Sequence, residues 1–265
     1  MATGTYLDRI LEAHRAAAAA DRRDLGELVE RAGALPPARG FAAALSARSA
    51  ADGLAVVAEV KRRSPSKGDL AAGLDPAQVA RRYAAGGAAC LSVLTDAEFF
   101  GARVDDLALA RGAVDLPVLR KDFTVDRRDV CDARLMGADA VLLIVAALDD
   151  GELADLHGLA VELGLDVLVE VHDEAELARA LAVGATVVGV NQRDLFTFAV
   201  DHDRAVRVAA AMPDGVVRVA ESGVRGPADA AALARAGFHA VLVGESVVTA
   251  PDPAGAVRDL VRAAR

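Results

Sequence analysis

The sequence predicts one α/β domain, a (β/α)8 barrel of the TIM type with an N-terminal helical extension. Three observations lead there. Eight near-continuous apolar runs alternate with stretches of helical periodicity, the pattern of parallel strands covered by helices. The repeat fills roughly 210 residues, the size of a closed barrel rather than an open sheet. No G-x-G-x-x-G turn follows the first strand, as a doubly wound dinucleotide-binding sheet would usually show.

Taken in order, the apolar runs predict strands over Ala55–Val60, Cys90–Leu94, Pro117–Leu119, Ala140–Val145, Asp166–Val171, Val187–Val190, Val216–Ala220 and Ala240–Val243. A Gly commonly precedes each run, and an Asp, Ser or Pro follows to open the next helix. Helices are expected over Pro76–Ala85, Val104–Val114, Asp126–Met136, Asp149–Leu163, Glu174–Val183, Asp203–Met212, Pro227–Ala236 and Pro253–Ala264. Residues 1–54 come before the barrel. Tyr6, Leu7, Ile10, Leu11 and His14 fall at helical spacing, and further helices are expected over Leu25–Ala32 and Phe41–Ala47. No linker separates this extension, so residues 1–265 read as a single domain.

The chain is 54% apolar and 26% charged, which is globular. A net charge of −9 argues against a nucleic-acid partner, which wants clustered Lys and Arg. The longest apolar run, Ala140–Leu148, is about half of what a bilayer needs, so no membrane partner is expected. Asp8 and Arg9 interrupt the start of the chain, unlike a signal peptide. Cys90 and Cys131 have no metal-site spacing and read as reduced packing thiols. These features together predict a soluble, cytoplasmic protein.

The strand ends carry the chemistry. The first ends on Glu59-Val60-Lys61, with Ser64 beyond; the third on Lys121-Asp122-Phe123; the fifth on Glu170-Val171-His172. The sixth ends on Asn191-Gln192-Arg193, the seventh on Glu221-Ser222-Gly223, the eighth on Gly244-Glu245-Ser246. Residues two apart face the same side of a strand. Glu59, Lys61, Lys121, Glu170, Asn191, Arg193 and Glu221 therefore converge at one mouth, the C-terminal face where barrel enzymes keep their chemistry. Lysines among carboxylates in a partly dry mouth have shifted pKa values and suit acid–base work. A structural ion-pair network has no reason to place Lys and Glu at the same end of nearly every strand. Ser222-Gly223 and Gly244-Glu245-Ser246, after strands seven and eight, are the usual place for a phosphate cradle. Glu245 serves such a cradle only through its backbone.

These motifs together resemble indole-3-glycerol-phosphate synthase. The residues that carry the likeness are Glu59-x-Lys61-x-x-Ser64, Leu119-Arg120-Lys121-Asp122-Phe123, Glu170-Val171-His172, Asn191-x-Arg193-Asp194-Leu195, Glu221-Ser222-Gly223 and Val243-Gly244. The resemblance runs from about Tyr6 to the C-terminus. It implies a carboxy-lyase of tryptophan biosynthesis that acts on 1-(2-carboxyphenylamino)-1-deoxyribulose 5-phosphate, a small phosphorylated substrate. It implies no cofactor and no metal.

By the same resemblance Lys121 is the general acid that protonates the ketone oxygen. Lys61, Glu59 and Glu170 supply the acid and base of the dehydration, in an order the sequence leaves open. Asn191 and Glu221 orient substrate and catalytic side chains, and Arg193 pairs with the substrate carboxylate or a neighbouring Glu. Phe100, Phe123, Leu142 and Leu195 line a slot for the aromatic ring. Ser64, Ser222, Gly223, Gly244 and the Glu245 backbone take the phosphate, with Lys61 near. Gln192 lies where the family varies and is expected to point outward. Phe100-Gly101-Ala102-Arg103 departs from the family's Phe-x-Gly-Ser. His172 finds no partner for a metal site, and His14, His157, His202 and His239 read as surface or filler. An aldolase-type barrel would leave the Glu–Lys first strand unexplained, and an idle phosphate-binding barrel would be expected to lose Lys121 or Glu170.

Overall fold

The computed structural model describes residues 5–64, 67–193 and 200–264, the side chain of His202 excepted. Eight strands close into a barrel, each hydrogen-bonded to its neighbours in parallel. They are β1 (Ala55–Val60), β2 (Cys90–Leu94), β3 (Val118–Lys121), β4 (Ala140–Ile144), β5 (Asp166–Val171), β6 (Val187–Asn191), β7 (Val217–Glu221) and β8 (Ala240–Val243). The barrel closes where Ala55 of β1 pairs with Ala240 of β8.

Three helices precede the barrel: α1 (Tyr6–Ala20), α2 (Leu25–Gly33) and α3 (Phe41–Asp52). The longer ones that follow the strands are α4 (Pro76–Gly86), α5 (Asp106–Ala113), α6 (Arg127–Leu135), α7 (Asp150–Glu162), α8 (Glu174–Ala182), α9 (His202–Ala210), α10 (Pro227–Arg235) and α11 (Pro253–Ala263), with single helical turns at Ala97–Phe100 and Glu245–Val248. Most start where an Asp side chain accepts backbone N–H groups, as Asp75, Asp126, Asp149, Asp173 and Asp201 do.

Strand periodicity sorts the core into two layers. Val56, Ala58 and Val60 of β1, with Leu91 and Val93 of β2, face outward onto the helices. Ala55, Val57, Cys90, Leu119, Leu142, Leu168, Val187, Val219 and Leu242 fill the lumen. Phe41 and Leu45 of α3 join that lumen cluster, so α3 plugs the end of the barrel away from the polar strand tips.

Boundaries moved in informative places. The third strand runs on to Lys121, and the sixth and seventh take in Asn191 and Glu221. The polar tips are thus held by the barrel ladder itself. The fourth ends at Ile144 because Val145–Ala147 winds into a 3-10 turn. The helix expected from Val104 starts at Asp106, and Val104 is exposed. α3 extends to Asp52, beyond the expected Ala47, because its Ala- and Ser-rich second half gives little periodic signal.

Candidate active site

The lumen rows continue upward into the mouth. Val57 leads to Glu59, Leu119 to Lys121, Leu168 to Glu170, Val187 through Gly189 to Asn191, and Val219 to Glu221. The five polar tips, with Lys61, border one cavity of about 740 Å³ at the C-terminal face. Ser64, Phe100, Phe123, Leu142, Arg193, Ser222, Gly223, Gly244 and Glu245 border it too. Leu195 lies outside the described residues.

Lys121 sits at the centre of the charge. Its Nζ is 3.4 Å from Glu170 Oε2 and 3.8 Å from Glu221 Oε2. Burial alone would push this ammonium down; Glu170, Glu221 and Glu59 together hold it above the usual lysine range. The two carboxylates part company. Burial and the neighbouring Glu170 push Glu221 well above the ordinary carboxylate range. Burial works the same way on Glu170, but Lys121, His172 and a 3.0 Å hydrogen bond from Asn191 Nδ2 overcome it and pull its pKa down. The site therefore sets one ammonium between two buried carboxyl groups whose pKa values are driven in opposite directions, Glu170 down and Glu221 up. Glu221 Oε1 is buried and has no hydrogen-bond partner among the described residues.

The β1 tip forms a second acid–base unit. Lys61 Nζ donates to Glu59 Oε1, and Ser92 Oγ lies 3.5 Å from Glu59 Oε2. From behind, the Tyr83 hydroxyl donates to the Glu59 carbonyl at 3.1 Å. Two glycines make the room. A Cβ on Gly189 would lie 2.0 Å from Glu221 Oε1, and one on Gly244 would lie 2.4 Å from Glu59 Oε1. Gly244 is therefore needed first by the Glu59–Lys61 pair and only then by an incoming anion.

The apolar slot is built from Phe100 and Phe123, whose ring centroids are 6.2 Å apart, with Leu142 from the lumen. Ser64, Ser222, Gly223 and Gly244 border the same cavity. Ser64 Oγ is buried and has no partner among the described residues. Ser222 is the one non-glycine with a left-handed backbone among the described residues, at φ 64°, and Gly223 follows at φ 73°. The Glu245 carboxylate is engaged by Lys67 in an exposed ion pair, and both residues border the cavity; a carboxylate repels an anion, so Glu245 can serve one only through its backbone.

Some contributors escaped the sequence. Tyr6, Leu7 and Ile10 of α1 border the cavity; their helical spacing reads equally well as packing. Ile144 and Leu242 border it as well, and counting by twos along the lumen rows would have found both. Arg62 anchors the base of the first loop through two bonds to Asp106, at 2.7 and 2.9 Å, and one to the Leu74 carbonyl. Nothing in its local sequence marks it.

Two histidine readings and one of orientation need correcting or extending. His14 is not filler: its Nε2 is 2.8 Å from Asp96 Oδ2 and 3.8 Å from Asp122 Oδ1, and its ring lies 5.5 Å from Phe123. These three side chains bring ligand atoms within 4.8 Å of one another. Their other oxygens are engaged, since Asp96 caps Phe99 and Asp122 receives Arg120 at 3.1 Å. The cluster fastens α1 to the loops after β2 and β3. His172 stands behind Glu170, hydrogen-bonded to Glu176 at 3.0 Å. Gln192 points out of the lumen as expected, but it is fully buried.

A family model described as indole-3-glycerol phosphate synthase matches residues 7–260. The chain belongs to the indole-3-glycerol phosphate synthase family. A Nocardioides protein of that name is 59% identical over 208 residues, covering 78% of this chain and 80% of its own. One from Mycobacteroides abscessus is 50% identical over 265 residues, 99% of this chain and 96% of its own. Among solved structures, thiamine phosphate pyrophosphorylase from Pyrococcus furiosus aligns with a TM-score of 0.61 at 17% identity, over 80% of this chain and 96% of that one. That likeness concerns the barrel alone. No described helix is long and apolar enough to cross a membrane.

Proposed function

We propose that this mouth performs the reaction of its family, converting 1-(2-carboxyphenylamino)-1-deoxyribulose 5-phosphate to indole-3-glycerol phosphate, carbon dioxide and water. The phosphate rests on Ser64, Ser222, Gly223 and Gly244, and the carboxyphenyl ring lies between Phe100, Phe123 and Leu142. The observation that carries the reading is Lys121, held charged between two carboxylates at the top of the lumen.

The ring carbon that bears the carboxylate attacks the ketone. As the new carbon–carbon bond forms, the ketone oxygen gains charge and takes a proton from Lys121. The carbon–carboxylate bond then breaks, carbon dioxide leaves, and its electron pair restores the aromatic ring. Lys61 protonates the departing hydroxyl. The ionised Glu170 removes a proton from the carbon beside the nitrogen, which completes the double bond. Glu170 returns the proton it has taken to Lys121, and Lys61 regains its proton from solvent beside Glu59, the one proton that loss of carbon dioxide from a carboxylate consumes. Such positioned acids and bases each contribute about 10²–10⁴-fold.

The chain has no Trp, so protein emission in the indole range is low. Adding the substrate to purified protein should raise indole emission, and Lys121→Ala should abolish the rise. Turnover undiminished by that substitution removes Lys121 from the role of acid.

A further inference from the structure

Gln192 is fully buried and does not border the cavity, whereas Ser222 and Gly223 of the neighbouring loop do. It sits just past the end of β6. Its backbone N–H donates to the Glu221 carbonyl at 3.0 Å. Its side-chain Nε2 lies 3.4 Å from that same carbonyl and donates to the Ser222 carbonyl at 2.9 Å. One residue thus grips two successive carbonyls at the β7 tip.

The peptide unit turns this grip into a direction. Each peptide is planar and trans, so its C=O and the following N–H point opposite ways; no cis bond occurs among the described residues. Drawing the Glu221 carbonyl toward Gln192 sends the Ser222 N–H the other way. Drawing in the Ser222 carbonyl does the same to the Gly223 N–H. Ser222 and Gly223 border the cavity and Gln192 does not, so both N–H groups face the mouth. Neither finds an acceptor among the described residues. The grip also accounts for the backbone of Ser222. A left-handed conformation is disfavoured for a residue with a Cβ and persists when its surroundings fix it.

We propose that Gln192 is a positioning residue: its carboxamide locks the Glu221–Ser222–Gly223 peptides so that two N–H groups point at the substrate phosphate. The inference rests on the phosphate reading above. It accounts for a buried polar side chain at a position with no place in the catalytic set. Gln192 touches no substrate; it acts through the loop.

The test is Gln192→Met, which keeps the bulk and removes the donor. KM for the substrate and the inhibition constant of inorganic phosphate should both rise about tenfold, the equivalent of about 1.4 kcal/mol. kcat should fall by a smaller factor. Inhibition by anthranilate, which has the ring and no phosphate, should stay within twofold. An unchanged phosphate constant, or an equal loss of anthranilate binding, overturns the proposal. If phosphate fails to compete with substrate in the parent protein, the cradle itself is wrong, and the proposal falls with it. A second readout needs no variant. In the 15N-labelled parent protein, titrated inorganic phosphate should shift the Ser222 and Gly223 amides; unmoved amides overturn the proposal even if Gln192→Met fails to fold.

Discussion

At the bottom of the barrel Asp139 is completely buried, and each of its oxygens has fixed donors. Oδ1 accepts from the Arg39 backbone at 2.8 Å and from Arg111 at 2.9 Å; Oδ2 accepts from the Val118 backbone at 2.9 Å. At the top Glu221 is also buried, yet its Oε1 has no hydrogen-bond partner among the described residues, and its other oxygen is 3.8 Å from a lysine shared with Glu170. Both ends bury carboxylates at comparable depth. The lower one is saturated by two backbone N–H groups and the Arg111 guanidinium, as a structural charge must be. The upper ones share one ammonium, lie close enough to drive their pKa values apart, and leave acceptor capacity open. Unspent polar capacity beside a cavity is what acid–base chemistry requires, and it makes the folded state less stable.

That contrast can be broken at either end. The largest effect should come from Lys121→Ala, which should lower kcat by about 10²–10⁴-fold with the fold retained, because Glu170, left without its ammonium, takes up a proton instead of staying a buried charge. Asp139→Ala should do the reverse. Leaving Arg111 without its buried partner should cost about 3–5 kcal/mol of stability in a denaturant titration, with kcat per folded molecule retained. A comparable loss of kcat would mean that the bottom of the barrel is no mere scaffold.

A finer test separates the two glutamates. Glu170→Gln removes an ionised base and should lower kcat by about 10²-fold. Glu221→Gln imitates a group already protonated and should lower it far less. The stability sign follows from the raised Glu221 pKa. At acid pH the folded and unfolded states both carry the proton, and the group is neutral to stability. Once pH exceeds the unfolded value of about 4.3, only the unfolded chain ionises freely, so stability falls as pH rises toward the folded pKa. Glu221→Gln should therefore raise the melting temperature at pH 8 and hardly change it at pH 4. Equal shifts at both pH values would mean that Glu221 is not held protonated.

The smallest expected effect concerns α1. Burial pushes the His14 imidazole down, but Asp96 and Asp122 outweigh it and raise its pKa. A raised histidine pKa stabilises fully below its unfolded value of about 6.5 and loses that effect as pH rises through the folded value. His14→Ala should raise KM a few-fold at pH 6, and the gap to the parent protein should narrow toward pH 9. A gap independent of pH would leave packing against Phe123 as the sole role of His14.

Much of the site was legible because strand parity is a rigid rule. Once Val57 or Leu119 is placed in the lumen, Glu59 or Lys121 two residues on must face the mouth. Parity says nothing about residues that act from behind. Tyr83, Arg62 and Gln192 reach the site through backbone carbonyls on other segments, and no local spacing encodes such contacts. Gly244 shows the same limit. Its sequence context suggests room for phosphate, while its nearest neighbours are Glu59 and Lys61 from the other end of the chain.

The amino-acid order alone determined the eight strand–helix units, the plane in which their tips meet and the identity of the charged tips. Periodicity and capping are local, so they survive without knowledge of the partner strands. Tertiary structure decided which carboxylate is pushed up and which is pulled down, which histidine fastens the extension and which carbonyls Gln192 holds. Those depend on distances of a few ångströms between segments more than twenty residues apart, because desolvation, Coulomb interaction and hydrogen bonding act through space and not along the chain.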